Sequence, residues 1–169
     1  MRKLSQIQES IWSDIQDRNS GEVTRKEDDI SNLNRNEFYD YLLDHYETIN
    51  PSEINIIRNG EFSDLLNIPI FEHNETGKIG RQYRLIIWDF DANAKISIPS
   101  TEEFCDSDLY KKMKSNFVLK PIKDTYNPRF EIYPKGVIKK SEMNRFFLNV
   151  IDFIIDNISD PFEILIKRK

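Results

Sequence analysis

The sequence predicts an α+β protein in which an N-terminal helical arm and a helix precede an antiparallel sheet of about five to seven strands, packed against a long C-terminal helix. Three observations predict this class. Residues 141–158 repeat apolar side chains at helical spacing. The middle of the chain breaks into short β-branched and aromatic segments separated by turn residues. The 169 residues are 38% hydrophobic and 12% aromatic, which suffices for one core.

Residues 1–30 form the predicted arm, and residues 31–169 form the single predicted domain. Ser5 and Gln8 have capping-box spacing, and a short amphipathic helix follows until Gly21 ends it. Its apolar stripe consists of Ile7, Ile11, Trp12 and Ile15. Residues 22–29 are mostly charged, a composition typical of a solvated linker or of an arm that orders on binding.

A second helix is predicted from about Asn36 to Ile49, with Tyr46 and Ile49 on its inward face and Pro51 after its end. The hydrophobic period then changes to that of strands. Turn residues such as Asn59-Gly60 and Asp91-Ala92-Asn93 lie between these segments and favour hairpins. The predicted antiparallel meander comprises Ile54–Ile57, Leu65–Phe71, Tyr83–Phe90 and Lys95–Pro99.

The rest of the chain predicts two helices and three strands. A helix over 101–114 has acidic residues at its start and lysines at its end, which complements the helix dipole. The second helix runs from Ser141, its predicted N-cap, to Ile158, and Asp160-Pro161 ends it. The remaining predicted strands are Phe117–Ile122, Phe130–Tyr133 and Phe162–Ile166.

The net charge, the cysteine count and the length of the apolar runs limit the classes of function to be expected. The net charge of −5 gives no reason to expect nucleic acid as the main partner, and it is unevenly distributed. Residues 1–50 carry six Lys and Arg against eleven Asp and Glu, whereas the rest of the chain carries 18 of each. A single cysteine, Cys105, excludes an internal disulfide and is expected to be a buried, inert thiol. No apolar run has the length of a membrane span or a signal peptide, so no membrane partner is expected.

The sharpest enzymatic motif is Asp89 and Asp91, which follow an apolar strand and lie on the same side of it. Such a pair can bind Mg²⁺ or supply a nucleophile and a general acid. The pair resembles the Asp-x-Asp motif of haloacid dehalogenase-like phosphatases, which implies a small metal-dependent hydrolase. Asn93 departs from the Thr or Val of that family, and little chain follows for its core. The alternative is a hairpin tip in which the aspartates favour the turn.

Other residues predict no catalytic or cofactor site. His45, in the second helix, and His73, in a loop, are expected at the surface, and two histidines do not make a metal site. Thr76-Gly77-Lys78 lacks the earlier glycine of a phosphate-binding loop. The basic clusters at 111–123 and 135–140 are interpreted as solvated faces, with phosphate contact as the alternative. No cofactor is expected.

Two interpretations of the arm remain open. In the first, the apolar stripe packs onto its own domain. In the second, the stripe docks in a groove of a partner, and the charged residues of the arm add specificity. The docking hypothesis names Ile11, Trp12 and Ile15 as apolar anchors and Arg18, Arg25 and Asp28 as polar ones.

The pattern Ile11-Trp12-Ser13-Asp14-Ile15, followed by Arg18, Gly21 and Arg25-Lys26-Glu27-Asp28, resembles N-terminal segments of proteins encoded by bacteriophages of gut Bacteroidales, including crAss-like phages. The resemblance covers about the first 30 residues. It implies a virion structural or assembly protein, made in the host cytoplasm, that engages other phage proteins as a capsid, neck or tail component or as a packaged protein. A symmetric assembly is expected, because virion modules occur in rings or clusters.

Overall fold

The computed structural model describes residues 29–49, 53–57, 65–73, 82–88 and 93–169. The chain divides into two units, Met1–Asn32 and Leu33–Lys169. In the first unit the described residues form one 3-10 turn, Asp29–Asn32, and the predicted arm helix lies outside the described residues. The second unit contains helices followed by an antiparallel sheet and a C-terminal helix, so the predicted α+β class is confirmed.

Local capping explains where the helices begin. Asn34 and Glu37 form a reciprocal capping box, each accepting a backbone N–H of the other at 2.9 Å. The hydroxyls of Thr101 and Ser107 cap the next two helices, and each accepts one backbone N–H at 3.2 Å, from Phe104 and Tyr110 respectively. In the described residues the α-helices are α1 (Arg35–His45), α2 (Glu102–Cys105), α3 (Asp108–Asn116) and α4 (Met143–Asn157).

Nine strands occur in the described residues, and every pair among them is antiparallel. The main sheet has the order β2-β3-β4-β5-β7-β6, with β8 also paired to β3, whereas β1 and β9 form a separate ribbon. The predicted meander is therefore confirmed from β2 to β5. The strands are β1 (Tyr46–Thr48), β2 (Asn55–Ile57), β3 (Leu65–His73), β4 (Gln82–Trp88), β5 (Lys95–Pro99), β6 (Val118–Ile122), β7 (Arg129–Tyr133), β8 (Phe162–Ile164) and β9 (Ile166–Arg168).

The nine-residue strand β3 pairs with two different strands along one of its edges. Its first residues pair with β2 and its last residues pair with β8. The register against β4 shifts between Pro69 and Phe71, where proline has no N–H to donate. The Ile70 carbonyl there accepts the backbone N–H of Leu165 at 2.9 Å. The edge of β3 thus changes partner from β2 to β8 along its length.

One face of the sheet supplies the core. Along β4, Tyr83, Leu85 and Ile87 are fully buried and alternate with half-buried residues. Phe104 of α2 packs against Tyr83 at 6.3 Å between ring centroids, which places α2 on this face. The helix α4 adds a buried stripe of its own, consisting of Phe146, Phe147, Leu148, Val150, Ile151 and Ile154. The core therefore lies on the face to which Tyr83, Leu85 and Ile87 of β4 belong.

A polar cluster attaches the β1–β9 ribbon to α4. The Tyr46 hydroxyl donates to Asp152 at 2.8 Å. The Arg168 guanidinium donates to Asp152 at 3.2 Å and to Asp156 at 2.6 Å. Burial, followed by the hydrogen bond to Asp152, raises the pKa of Tyr46. These hydrogen bonds connect β1 and β9, which are far apart in the sequence, to one turn of α4.

Tertiary pairing corrects the end of the first predicted helix of the domain. That helix was expected to extend to Ile49, but α1 ends at His45 and Tyr46–Thr48 form β1. The reason is the ladder with β9, which pairs Tyr46 with Arg168. Tyr46 is buried as expected, whereas the predicted inward position of Ile49 is wrong because its side chain is 53% exposed.

Three other boundaries differ from the predictions. The helix over 101–114 is two helices, because the Ser107 hydroxyl donates to the carbonyl of Phe104 at 2.6 Å and also caps α3. Ser141 is not an N-cap, since it lies inside the 3-10 turn Lys140–Glu142 that precedes α4. The last strand divides at Leu165, after which the chain pairs with β1 instead of β3.

Candidate functional site

The residues predicted to carry function lie outside the described part of the chain. These are the arm positions Ile11, Trp12, Ile15, Arg18, Arg25 and Asp28, and the alternative metal pair Asp89 and Asp91. The predicted hairpin tips at Asn59-Gly60 and Asp91-Ala92 are outside it too.

The histidines and the cysteine occupy ordinary structural positions. His45 is exposed and stacks on Tyr41, with 3.9 Å between ring centroids. His73 is not in a loop as predicted, because it pairs with Phe162 as the last residue of β3. Cys105 is half-buried, and burial is the main cause that raises the pKa of its thiol. A raised pKa leaves less reactive thiolate at neutral pH.

Neither a metal-ligand cluster nor a membrane-spanning helix occurs among the described residues. No three His, Cys, Asp or Glu side chains within them are grouped so that they could hold a metal ion. No helix in this part of the chain is long and apolar enough to cross a membrane.

The face of the sheet opposite the core carries a mixed aromatic and cationic surface. We call it the polar sheet face and define it by Gln82, Arg84, Ile86, Trp88, Lys95, Ser97, Pro99, Arg129, Glu131 and Tyr133 of β4, β5 and β7. The antiparallel pairs Trp88 with Lys95 and Ser97 with Glu131 place these side chains on one side. A cavity of about 430 Å³ lies on this face, a volume typical of small binding sites, which span roughly 300–1,000 Å³.

Trp88 lies at the rim of this cavity with two cations at its ring. The Lys95 ammonium is 5.4 Å from the ring centroid, and the Arg129 guanidinium carbon is 5.6 Å from it. Contacts of this kind contribute about 0.5–1 kcal/mol when exposed and about 2 kcal/mol when desolvated. Trp88 therefore holds positive charge at the cavity wall.

Charges around the cavity are only partly compensated. Arg129 has an acidic neighbour, Asp124, at 3.6 Å. Arg84 donates to the side-chain oxygen of Gln82 at 2.9 Å but has no acidic partner among the described residues. Lys95 contacts Trp88 and likewise has no acidic partner there. Two cations of the polar sheet face, Arg84 at the cavity wall and Lys95 beside Trp88, thus lack a carboxylate within the described ranges.

The carboxylate of the polar sheet face, Glu131, already has a hydrogen-bond partner. Glu131 is 4% exposed and accepts the Tyr133 hydroxyl at 2.6 Å. Burial, followed by that hydrogen bond, raises the pKa of Tyr133 to about 12. Both side chains lie on β7 two residues apart, so the contact is local. The described lining of the cavity consists of Leu65, Gln82, Arg84, Ile86, Trp88, Ser97, Pro99, Asn127 and Arg129, and includes no acid.

Next to the cavity, Asn67 is fully buried with an unsatisfied amide. Neither its amide nitrogen nor its oxygen has a hydrogen-bond partner in the structure as described. Its neighbour across the strands is Ile86, and Leu65 is two residues before it, and both line the cavity. Buried amides without partners are rare because each such group costs about 1–3 kcal/mol.

Sequence reasoning did not identify the polar sheet face as a site. The available signal was the two-residue period of β4, in which Arg84, Ile86 and Trp88 alternate with core residues. That period separates the two faces, but it does not show that Lys95 and Arg129 from other strands meet the Trp88 ring. Comparison with known proteins adds no relative: no family model, no curated protein and no solved structure matches the chain.

Proposed function

We propose that the chain is a structural or assembly protein of a bacteriophage virion that binds other proteins of the particle. The observation that carries the binding role is the chemistry of the polar sheet face. Its cavity is lined in the described residues by aromatic, aliphatic, amide and guanidinium groups. Such groups bind and orient a partner, and Trp and Arg contribute disproportionately to binding energy at protein interfaces.

The N-terminal resemblance supports the virion context. In this proposal Ile11, Trp12 and Ile15 insert into a partner, as amphipathic helices do when they occupy a groove. Arg18, Arg25 and Asp28 add polar contacts that fix the orientation. The protein is made in the host cytoplasm and becomes part of the virion as a capsid, neck or tail component or as a packaged protein.

Incorporation into purified particles tests this function. A cell that produces the particle is supplied with the tagged wild-type chain, with Trp12→Ala or with Val137→Ala, and purified particles are probed for the tag. Val137 is fully exposed on the domain, so its truncation is a matched control for loss of an apolar side chain. We expect wild type and Val137→Ala in the particles and Trp12→Ala absent from them. Wild-type protein that is made but missing from the particles contradicts the proposal.

A small metal-dependent hydrolase is the second candidate. The observation that favours it is that β4 ends at Trp88, which lines the cavity and immediately precedes Asp89 in the sequence. Titration calorimetry with Mg²⁺ and Mn²⁺ tests it. Stoichiometric binding that Asp89→Asn abolishes supports the hydrolase, whereas equal heats for both proteins contradict it.

A further inference from the structure

The cavity on the polar sheet face has the charge of a site for carboxylates. Arg84 is half-buried, and it has no acidic partner in the described ranges. A partly desolvated cation without a counter-charge is unfavourable, because its hydration is reduced and no Coulomb attraction offsets the loss. Lys95 adds a second such cation across the neighbouring strand. A ligand that brings carboxylates relieves this imbalance.

The chain contains a segment of the complementary charge. All of its net negative charge lies in residues 1–50, and Glu27, Asp28 and Asp29 are three consecutive acids. Val23 adds an apolar side chain to the same charged run. A peptide of this composition matches a cavity that has both guanidinium groups and an apolar wall of Ile86 and Pro99.

We propose that the cavity on the polar sheet face receives the acidic segment 22–29 of a second copy of the chain, whose carboxylates pair with Arg84 and Lys95. This inference rests on the proposed function, since it names a receiving site for the same N-terminal segment. Exchange of a segment between copies generates a two-fold dimer when it is reciprocal and a ring when it is head to tail. Both outcomes supply the multiplicity that a virion module requires.

A protein segment suits the site better than a nucleic acid does. Base binding on a sheet depends on aromatic rings that are available for stacking. The ring of Trp88 already contacts Lys95 and Arg129. A net charge of −5 also opposes the binding of a polyanion.

Sedimentation velocity of the full chain at increasing protein concentration tests the proposal, with a charge swap as the decisive step. We expect a dimer or closed ring that weakens as salt is raised. Arg84→Glu and Asp28→Arg should each weaken self-association about tenfold or more. The double variant Arg84→Glu with Asp28→Arg should recover most of it, because the pair is restored with its signs exchanged.

Matched variants keep the test interpretable. Lys111→Glu is the control for charge reversal, because Lys111 is a 72% exposed cation on α3 away from the cavity. It should leave self-association unchanged. Circular dichroism and the thermal midpoint monitor folding, and Lys95→Glu replaces Arg84→Glu if that variant does not fold. Lys95 is the other cation of the polar sheet face without an acidic partner in the described ranges, and its side chain is partly exposed.

Three results overturn the inference. In the first, the chain stays monomeric at every concentration. In the second, Arg84→Glu and Lys95→Glu leave self-association unchanged. In the third, fluorescence anisotropy shows that the cavity binds an oligothymidylate instead. The failure of this inference is distinguishable from that of the proposed function. A monomer that still enters particles through Trp12 overturns only the exchange between copies. A charge-swapped dimer whose wild type is missing from particles overturns only the virion role.

Discussion

Replacing the unsatisfied Asn67 with leucine should stabilise the protein. Leucine has the same number and branching of side-chain heavy atoms, so the substitution removes the two unpaired polar atoms without a large change of shape. Each unsatisfied buried group costs about 1–3 kcal/mol. Some of that gain is offset by the larger methyl groups in a fully buried site, since overpacking costs about 1 kcal/mol or more. The two groups together account for about 2–6 kcal/mol, so we expect a net gain of about 1–5 kcal/mol in the free energy of unfolding.

Asn144→Leu provides a control of opposite sign. Asn144 is also buried, at 6% exposure, but its amide donates to the Leu33 carbonyl at 3.1 Å. The same substitution there leaves that carbonyl without its donor, so we expect a loss of about 1–2 kcal/mol. The two asparagines thus separate the effect of hydrogen bonding from that of side-chain burial.

Urea unfolding followed by far-UV circular dichroism measures both variants. A gain of 1 kcal/mol corresponds to about 2–4 °C in the thermal midpoint for a chain of this size, and the dependence on urea should stay unchanged. If Asn67→Leu loses more than about 1 kcal/mol, the amide has a partner in solution and the reasoning about an unsatisfied group is wrong.

Three more outcomes are expected. Phe147→Ala should lower the free energy of unfolding by about 3–5 kcal/mol, because the ring is fully buried in α4, whereas Val137→Ala should change it by less than about 0.5 kcal/mol in the same urea assay. Tyr133 has its pKa raised to about 12 in the folded state, so its contribution is present below pH 10 and lost as pH rises toward 12. The stability difference between wild type and Tyr133→Phe should therefore shrink between about pH 10 and pH 12, and a constant difference refutes the coupling to Glu131. Cys105 should react with a disulfide reagent at pH 8 more slowly in the folded than in the unfolded chain, and equal rates contradict its raised pKa.

The elements that local patterns predicted well are those whose burial repeats along the chain. The helix α4 follows from apolar side chains at helical spacing, and Phe146, Val150 and Ile154 are all buried. Strand β5 was predicted with its observed bounds, Lys95–Pro99. In both cases one segment contains the whole signal, because the period of its apolar residues is set by its own backbone geometry.

Predictions failed where a distant partner decided the local structure. Tyr46–Thr48 continue a helical pattern, yet they form β1 because β9 offers a backbone ladder from the other end of the chain. His73 was assigned to a loop, and the same kind of pairing, with Phe162 of β8, extends β3 through it. Backbone hydrogen bonds between residues about a hundred positions apart cannot be predicted from the pattern of a short stretch of sequence.

The sequence by itself determined the α+β class, the one long C-terminal helix and the concentration of negative charge in the first third of the chain. These properties follow from composition and from hydrophobic periods that are local. Only the tertiary structure decided that Arg84, Lys95 and Arg129 share one face with Trp88, since they come from three strands. Their meeting depends on strand order and register, and the long-range pairing that sets both is a property of the folded chain.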